Sequence, residues 1–186
     1  MSDYYYSATY NESGPSTIRF NIRVDGGCRR NGSPNALGAA AAVFIYTNKD
    51  PEKFCEIITP NLRPTSQRAE LRAMILALRI ALEKYRRVET YTYKPVLEIS
   101  IRSDSQYAVH CLTDWLNAWD RSGSVWRNSQ GKVIANQELI EKALEYEDIL
   151  RGVGSVRYFQ VPREQNMIAD RVCNDEMDKY ERGERN

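Results

Sequence analysis

Apolar and polar side chains alternate in several stretches of the chain, which is the pattern of β-strands with one buried face. The clearest stretch runs from Ile18 to Val24, where every second residue is apolar. Strands are predicted at residues 18–24, 38–47, 54–59, 97–101 and 155–161. Glycine, asparagine and proline mark turns at Gly26-Gly27, at 31–34 and at 48–51. The first three strands are therefore predicted to form an antiparallel meander.

Other stretches repeat apolar residues every three or four positions, as amphipathic helices do. The longest predicted helix carries Leu71, Met74, Ile75, Leu78 and Leu82 on one face, and either Thr65 or Ser66 serves as its N-cap. Three further helices are predicted after the caps Ser105, Asn136 and Asn166. The apolar positions of these three are Val109, Leu112, Trp115 and Trp119; Leu139, Ile140, Ala143 and Leu144; and Ala169, Val172, Cys173 and Met177.

The order of these elements, β-β-β-α-β-α-α-β-α, predicts an α/β fold with a five-stranded mixed sheet flanked by helices. The length of 186 residues suits one domain. We expect a flexible lead-in over residues 1–16, a folded domain over 17–180 and a charged tail over 181–186. No apolar run approaches the thickness of a bilayer, and the N-terminal residues lack the pattern of a secretory signal.

The four cysteines stand far apart in the sequence, and the chain has a single histidine, His110. Neither feature suits a zinc site, so reduced thiols in an intracellular compartment, the cytoplasm or the nucleus, are expected. The net charge of +1 does not favour a protein that holds nucleic acid by bulk charge alone. Basic residues do cluster near the predicted site, notably over 121–132, where they fit either a solvated surface or a nucleic-acid surface.

Four carboxylates occupy the ends of strands and the starts of helices. Asp25 and Asp104 close apolar runs, Glu70 opens the longest helix, and Asp170 lies in the first turn of the last helix. Acids placed in this way can converge. A set of oxygen ligands without His or Cys suits Mg²⁺ or Mn²⁺ rather than Zn²⁺. Any one of these residues is equally well explained as an ordinary surface acid.

Around these acids the chain resembles type 1 ribonuclease H, over residues 18–177. The matching segments occur in the order found in that family. They are VDGGCRRNG with Asp25, TSQRAELRA with Glu70, SDSQYAV with Asp104, the basic, Trp-rich WLNAWDRSGSVWRNSQGKVIANQELI, and NMIADRVCN with Asp170.

The resemblance implies an endonuclease that hydrolyses the RNA strand of an RNA–DNA hybrid and leaves a 5′-phosphate. The four acids would be the catalytic residues and the ligands of two Mg²⁺ ions, with Mn²⁺ as a possible substitute. Two ions would clamp the phosphodiester, with Asp25 at the centre of the sheet as the shared ligand. No protein partner is indicated, and a monomer is expected.

The resemblance also implies the substrate contacts. The backbone of Gly26, Gly27 and Cys28 and the side chains of Ser66 and Gln67 would contact the RNA strand. The family usually has asparagine where this chain has Ser66. The DNA strand would be held through a phosphate pocket and a sugar contact. The phosphate pocket would consist of Arg63, Thr65 and Asn136, and Trp115 would pack against the sugar, whereas Trp119 is predicted to belong to the core.

One departure from the family is a shortened loop before the last helix. Most members carry a histidine there, but this chain reads VPREQNMIAD, and His110 comes too early in the sequence to replace it. Our hypothesis is that Arg163 or Glu164 takes over part of the auxiliary role.

Two alternatives remain open at this stage. The chain could be a weakly active or inactive domain that binds hybrids or RNA, although such domains usually lack some of the carboxylates. It could also be the ribonuclease H part of a mobile-element polyprotein, for which the chemistry would be the same. The initial Met and the compact ends mildly favour a free-standing protein.

Overall fold

The computed structural model describes residues 16–90 and 94–184, so most of the predicted lead-in and the last two residues lie outside the described part. Within these two ranges, five strands and five α-helices are found. They are β1 Thr17–Arg29, β2 Leu37–Ile45, β3 Glu52–Ile58, α1 Ser66–Val88, β4 Val96–Ser103, α2 Gln106–Cys111, α3 Asp114–Ala118, α4 Gln137–Arg151, β5 Gly154–Gln160 and α5 Met167–Glu181. Two short 3-10 turns, Pro60–Leu62 and Arg163–Gln165, precede α1 and α5.

The strands form one mixed sheet in the order β3-β2-β1-β4-β5. The three-stranded meander is antiparallel, whereas β4 pairs parallel to both β1 and β5. The predicted five-stranded mixed sheet with flanking helices is therefore confirmed. No helix among the described residues combines the length and hydrophobicity needed to cross a bilayer.

The two faces of the sheet are covered differently. The larger core lies between the sheet and α1, where Ala40, Ala42 and Phe44 of β2 are buried. A smaller apolar cluster lies on the opposite face, where Ala39 and Ala41 of β2 pack with Cys173 and other residues of α5. The alanines of β2 are buried on both faces, and their small side chains allow helices to approach the sheet from either side.

The two central strands separate beside Asp25. The pairing of β1 with β2 continues to Arg29, but the parallel pairing of β1 with β4 ends at Arg23. The predicted turn at Gly26-Gly27 is therefore wrong, because both glycines belong to β1. Gly26 instead allows α1 to pack closely against β1, since a Cβ atom at this position would overlap the backbone of Ala69 in α1.

Two helix predictions also need correction. The helix predicted from Ser105 to Trp119 is divided into α2 and α3, because the Thr113 hydroxyl donates to the Val109 carbonyl (2.9 Å) and the backbone leaves the helical conformation. Asn136 precedes α4 as predicted but makes no side-chain cap, since it adopts a left-handed conformation with φ of 58°.

Candidate active site

All four predicted acids line one cavity of about 290 Å³. Asp25 comes from β1, Glu70 from α1, Asp104 from the residue after β4, and Asp170 from the first turn of α5. The gap between β1 and β4 opens toward α5, and the close approach at Gly26 brings the first turns of α1 to its edge. The structure thus brings together four residues that are distant in the sequence.

Asp25 and Glu70 form the buried side of the cavity. Burial raises the pKa of Asp25 to about 6, and the charges of Asp104 and Asp170 add to this effect. Burial also raises the pKa of Glu70 to about 9, with contributions from Asp25 and Asp104. The N–H of Gly26 donates to both carboxylates and partly opposes these shifts. Burial and mutual repulsion therefore penalise the charged forms of these acids, so the site favours binding of a proton or a cation.

Asn166 fixes Asp104 and was missed as a site residue by the sequence analysis. Its side chain is fully buried, and its Nδ2 donates to Asp104 Oδ1 (2.7 Å) and to the carbonyl of Val24 (2.9 Å). It was predicted as the N-cap of α5, but it makes no side-chain cap bond. An asparagine before a helix has the same sequence signature in either role, so only the structure separates them.

Asp170 is held by one basic side chain, that of Arg163, and one amide side chain, that of Asn174. Arg163 Nη2 lies 3.1 Å from Asp170 Oδ1, and Asn174 Nδ2 donates to the carbonyl and the carboxylate of the same residue. Arg163 lines the cavity, although 76% of its side chain is exposed. Glu164 is exposed and is not among the residues that line the cavity. The prediction that Glu164 could assist is not supported, because the 3-10 turn directs Arg163, and not its neighbour, to the acids.

Within the described part of the chain, no three Asp, Glu, His or Cys side chains form a ready-made ligand set for one metal ion. This arrangement still suits Mg²⁺, which usually takes one or two carboxylates and completes its shell with water and phosphate oxygens. Glu70 Oε2 is buried and has no hydrogen-bond partner among the described atoms. A buried, unsatisfied carboxylate oxygen in a cluster of hard oxygen donors fits a divalent cation.

Several predicted RNA-contacting residues lie at the same cavity. Gly26, Gly27, Cys28 and Ser66 line it together with the acids. Gln67 lies exposed in the first turn of α1. These placements leave the backbone and small side chains of β1 and α1 beside the carboxylates, where a nucleic-acid strand could approach closely.

Two residues of the predicted phosphate pocket, Thr65 and Asn136, accept hydrogen bonds from Arg68 of α1. The N–H of Arg68 donates to the Thr65 hydroxyl, and its Nη1 donates to Asn136 Oδ1 (3.2 Å). Asn136 in turn donates to the hydroxyl of Tyr107 (3.0 Å). Arg63 is exposed in a left-handed conformation two residues before Thr65. The structure therefore links Thr65 to the backbone of Arg68 and Asn136 to its guanidinium.

The predicted DNA-contacting Trp115 belongs to an aromatic cluster on α2 and α3. Its ring stacks on His110 (centroids 5.3 Å apart), and its indole is 38% exposed. Trp119 is half-buried against the core, and Trp126 is buried. Trp115 and Trp119 line a second cavity of about 360 Å³, next to the basic segment 121–132. His110 lies in this cluster and not among the acids, as expected.

A mixed five-stranded sheet with clustered acids beside its central strands defines the class of ribonuclease H-like proteins. The chain belongs to the RNase H family: a family model described as RNase H matches residues 19–175. It is 36% identical to a protein named Ribonuclease H from Hahella chejuensis over 63% of this chain and 66% of that one. It is 28% identical to Ribonuclease H of Clostridium botulinum over 86% and 95% of the two chains.

Solved structures show the same fold. The solution structure of the PFV RNase H domain superposes with a TM-score of 0.58 at 15% identity, covering 84% of this chain and 92% of that one. The foamy viral protease-reverse transcriptase in complex with dsDNA gives a TM-score of 0.57 at 16% identity, covering 83% and 91%. The chain thus belongs to the RNase H family and has the fold of these domains.

Proposed function

We propose that the protein is a metal-dependent endonuclease that hydrolyses the RNA strand of RNA–DNA hybrids. The observation that carries this proposal is the convergence of four carboxylates from four separate elements on one cavity. Family membership supports the reaction class. Burial and mutual repulsion support a site that requires cations, because two of the acids carry strongly raised pKa values.

Asp25, Glu70, Asp104 and Asp170 would hold two Mg²⁺ ions, and Mn²⁺ could replace them. Bound ions supply activation of the attacking water and stabilisation of the leaving oxygen. Asn166 keeps the Asp104 carboxylate oriented through its 2.7 Å hydrogen bond. Positioning of this kind is usual around metal sites, where the partners of a ligand affect binding almost as much as the ligand itself.

The RNA strand would lie against the backbone of Gly26, Gly27 and Cys28, with Ser66 and Gln67 beside it. The lack of side chains at the two glycines allows a ribose or phosphate to approach the strand closely. A hydroxyl at Ser66 can both donate to and accept from the 2′-hydroxyl that distinguishes RNA from DNA.

The DNA strand would be held by Arg63, Thr65 and Asn136 at a phosphate and by Trp115 at a sugar. Arg68, which already bonds Thr65 and Asn136, would keep these two side chains in place. The exposed indole of Trp115 offers an apolar surface next to the basic segment 121–132, which supports a backbone contact there.

Arg163 would take the place of the missing loop histidine. Asp170 holds the Arg163 side chain at the mouth of the cavity, and Asp170 and Asp104 raise the pKa of its guanidinium. A fixed cation at this point can contact the cut phosphate and compete for Asp170 when the product leaves. We expect Arg163→Ala to lower turnover under saturating hybrid and Glu164→Ala to leave it unchanged; equal rates for both variants would remove this role.

The direct test of the reaction compares labelled RNA in three forms: hybridised to DNA, in double-stranded RNA and alone. We expect cleavage of the hybrid in Mg²⁺, no cleavage in EDTA, and products that end in a 5′-phosphate. Binding of the hybrid without cleavage in either Mg²⁺ or Mn²⁺ would instead indicate a non-catalytic binding domain. Cleavage of double-stranded RNA at a comparable rate would refute the proposed substrate.

A further inference from the structure

The sheet face that carries Asp25 and Asp104 extends beyond the acid cavity. On this side α5 packs against β1, β2 and β3. The helices α2 and α4 contact β5, but they also contact α1 and so lie on the opposite side. Within the described ranges, no helix packs extensively over β4 and β5 on the side of the acids. This part of the sheet is therefore open.

The open face is basic immediately beside the acids. Side chains on a strand alternate between faces, so Arg23 shares the face of Asp25, and Arg102 shares that of Asp104. Arg23 and Arg102 are direct neighbours in the pairing of β1 with β4, and Arg102 is the neighbour of Phe159 on β5. Arg23, Arg102 and Phe159 thus form a row across β1, β4 and β5. Along the strands this row lies two residues, or about 7 Å, from Asp25 and Asp104.

The positive charge on this face is not compensated within the described part of the chain. Arg23, Arg102 and Arg157 form no ion pair there, while Glu98 on the same face is paired with Arg19. Arg23 Nη1 is buried and has no hydrogen-bond partner among the described residues. The row is therefore suited to an anion.

An exposed aromatic ring completes the surface. Phe159 is 39% exposed, and the guanidinium of Arg102 lies over its ring at 5.0 Å. Aromatic rings and guanidinium planes are the groups on which unpaired bases stack. Arginine on an edge strand also hinders edge-to-edge association. That role does not explain Arg23 and Arg102, because β1 and β4 are interior strands.

We propose that this basic sheet face, formed by Arg23, Arg102, Arg157 and Phe159, binds single-stranded nucleic acid that continues from the strand held at the acids. The arginines contact its phosphates, and an unpaired base stacks on Phe159. A duplex would keep its bases paired and away from the ring, so the face selects a single strand. The inference rests on the proposed function only in naming that strand as an extension of the substrate.

The test measures the affinity of a short fluorescent single-stranded RNA by anisotropy in EDTA, where no cleavage is expected. Arg157→Glu and Phe159→Ala are the variants, because both side chains are exposed. Arg87→Glu on α1 makes the same charge change elsewhere, and Tyr180→Ala removes another exposed ring. We expect each test variant to bind on the order of 10-fold more weakly, as the loss of a stacked base does, and both controls to match the parent.

Cleavage assays separate this inference from the proposed function. The parent should cleave a hybrid with a single-stranded RNA extension faster than a blunt hybrid at limiting enzyme, and the test variants should lose that preference. If the parent cleaves hybrids but Arg157→Glu and Phe159→Ala bind single strands like their controls, the basic sheet face is not a binding site. If no hybrid is cleaved while the variants still lose binding, the face stands and the proposed reaction fails.

Discussion

Replacing Asp25 with asparagine should stabilise the protein when no metal is present, although it should abolish activity. Asp25 is only 7% exposed, and its carboxylate faces the charges of Asp104 and Asp170. An amide of the same shape can still accept the hydrogen bond from Gly26 N–H. The substitution therefore removes a buried charge and its repulsion while it keeps the local packing.

The magnitude follows from the pKa of Asp25. A rise from 3.8 to about 6 corresponds to about 3 kcal/mol, at ~1.4 kcal/mol for each tenfold change in proton affinity. A carboxyl whose pKa is raised on folding favours the folded state below its unfolded pKa, and this advantage is lost as the pH rises through the folded pKa. The free energy of unfolding of the variant should therefore exceed that of the parent by up to about 3 kcal/mol at pH 8 and by about half of that at pH 5.

The assay is urea unfolding in EDTA at both pH values, with Asp148→Asn on the exposed side of α4 as the matched control. Adding Mg²⁺ should raise the unfolding midpoint of the parent and of the control, since a ligand of the folded state stabilises it. Mg²⁺ should raise the unfolding midpoint of Asp25→Asn by less. The reasoning would be refuted if Asp25→Asn were less stable than the parent at pH 8 in EDTA. It would also be refuted if the difference in unfolding free energy between the two proteins did not change with pH.

Three further predictions concern positioning and packing. Asn166→Ala should lower kcat for hybrid cleavage by about 10- to 100-fold with little change in KM, because Asp104 loses its orienting hydrogen bond; a change in KM alone would contradict a positioning role. Gly26→Ala should destabilise the fold by about 1–3 kcal/mol or more, as measured by urea unfolding, because a Cβ atom there overlaps the Ala69 backbone; an unchanged midpoint would show that the two elements can separate freely. Trp115→Ala should raise KM for hybrids and spare kcat, and a loss confined to kcat would argue against a DNA contact.

The regular elements could be predicted from the sequence because their patterns are set by burial on one side. In β4, Leu97, Ile99 and Ile101 alternate with exposed or half-buried residues, and all three are buried. The apolar stripe of α1 is equally clear. Thr65, one of the two predicted N-caps, caps this helix by accepting a hydrogen bond from the N–H of Arg68. Such patterns depend only on the nearest element and are readable along the chain.

Features that depend on several elements at once could not be predicted in this way. A glycine pair is typical of turns, yet Gly26 and Gly27 continue β1, because α1 approaches too closely for a side chain at Gly26. The buried bonds of Asn166 reach β1 and the residue after β4, and nothing in the local sequence indicates either partner. The neighbours Arg23 and Arg102 are 79 residues apart and meet only through the strand register.

The most direct measurement is the initial rate of hybrid cleavage in Mg²⁺ for four single substitutions: Asp25→Asn, Glu70→Gln, Asp104→Asn and Asp170→Asn. Asp148→Asn serves as the folded control with the same chemical change. If the four acids act together on the scissile phosphate, each substitution should lower the rate on the order of 10²- to 10³-fold or more, while Asp148→Asn cleaves like the parent. Parent-like cleavage by Asp104→Asn, with its fold intact, would contradict the assignment of the site.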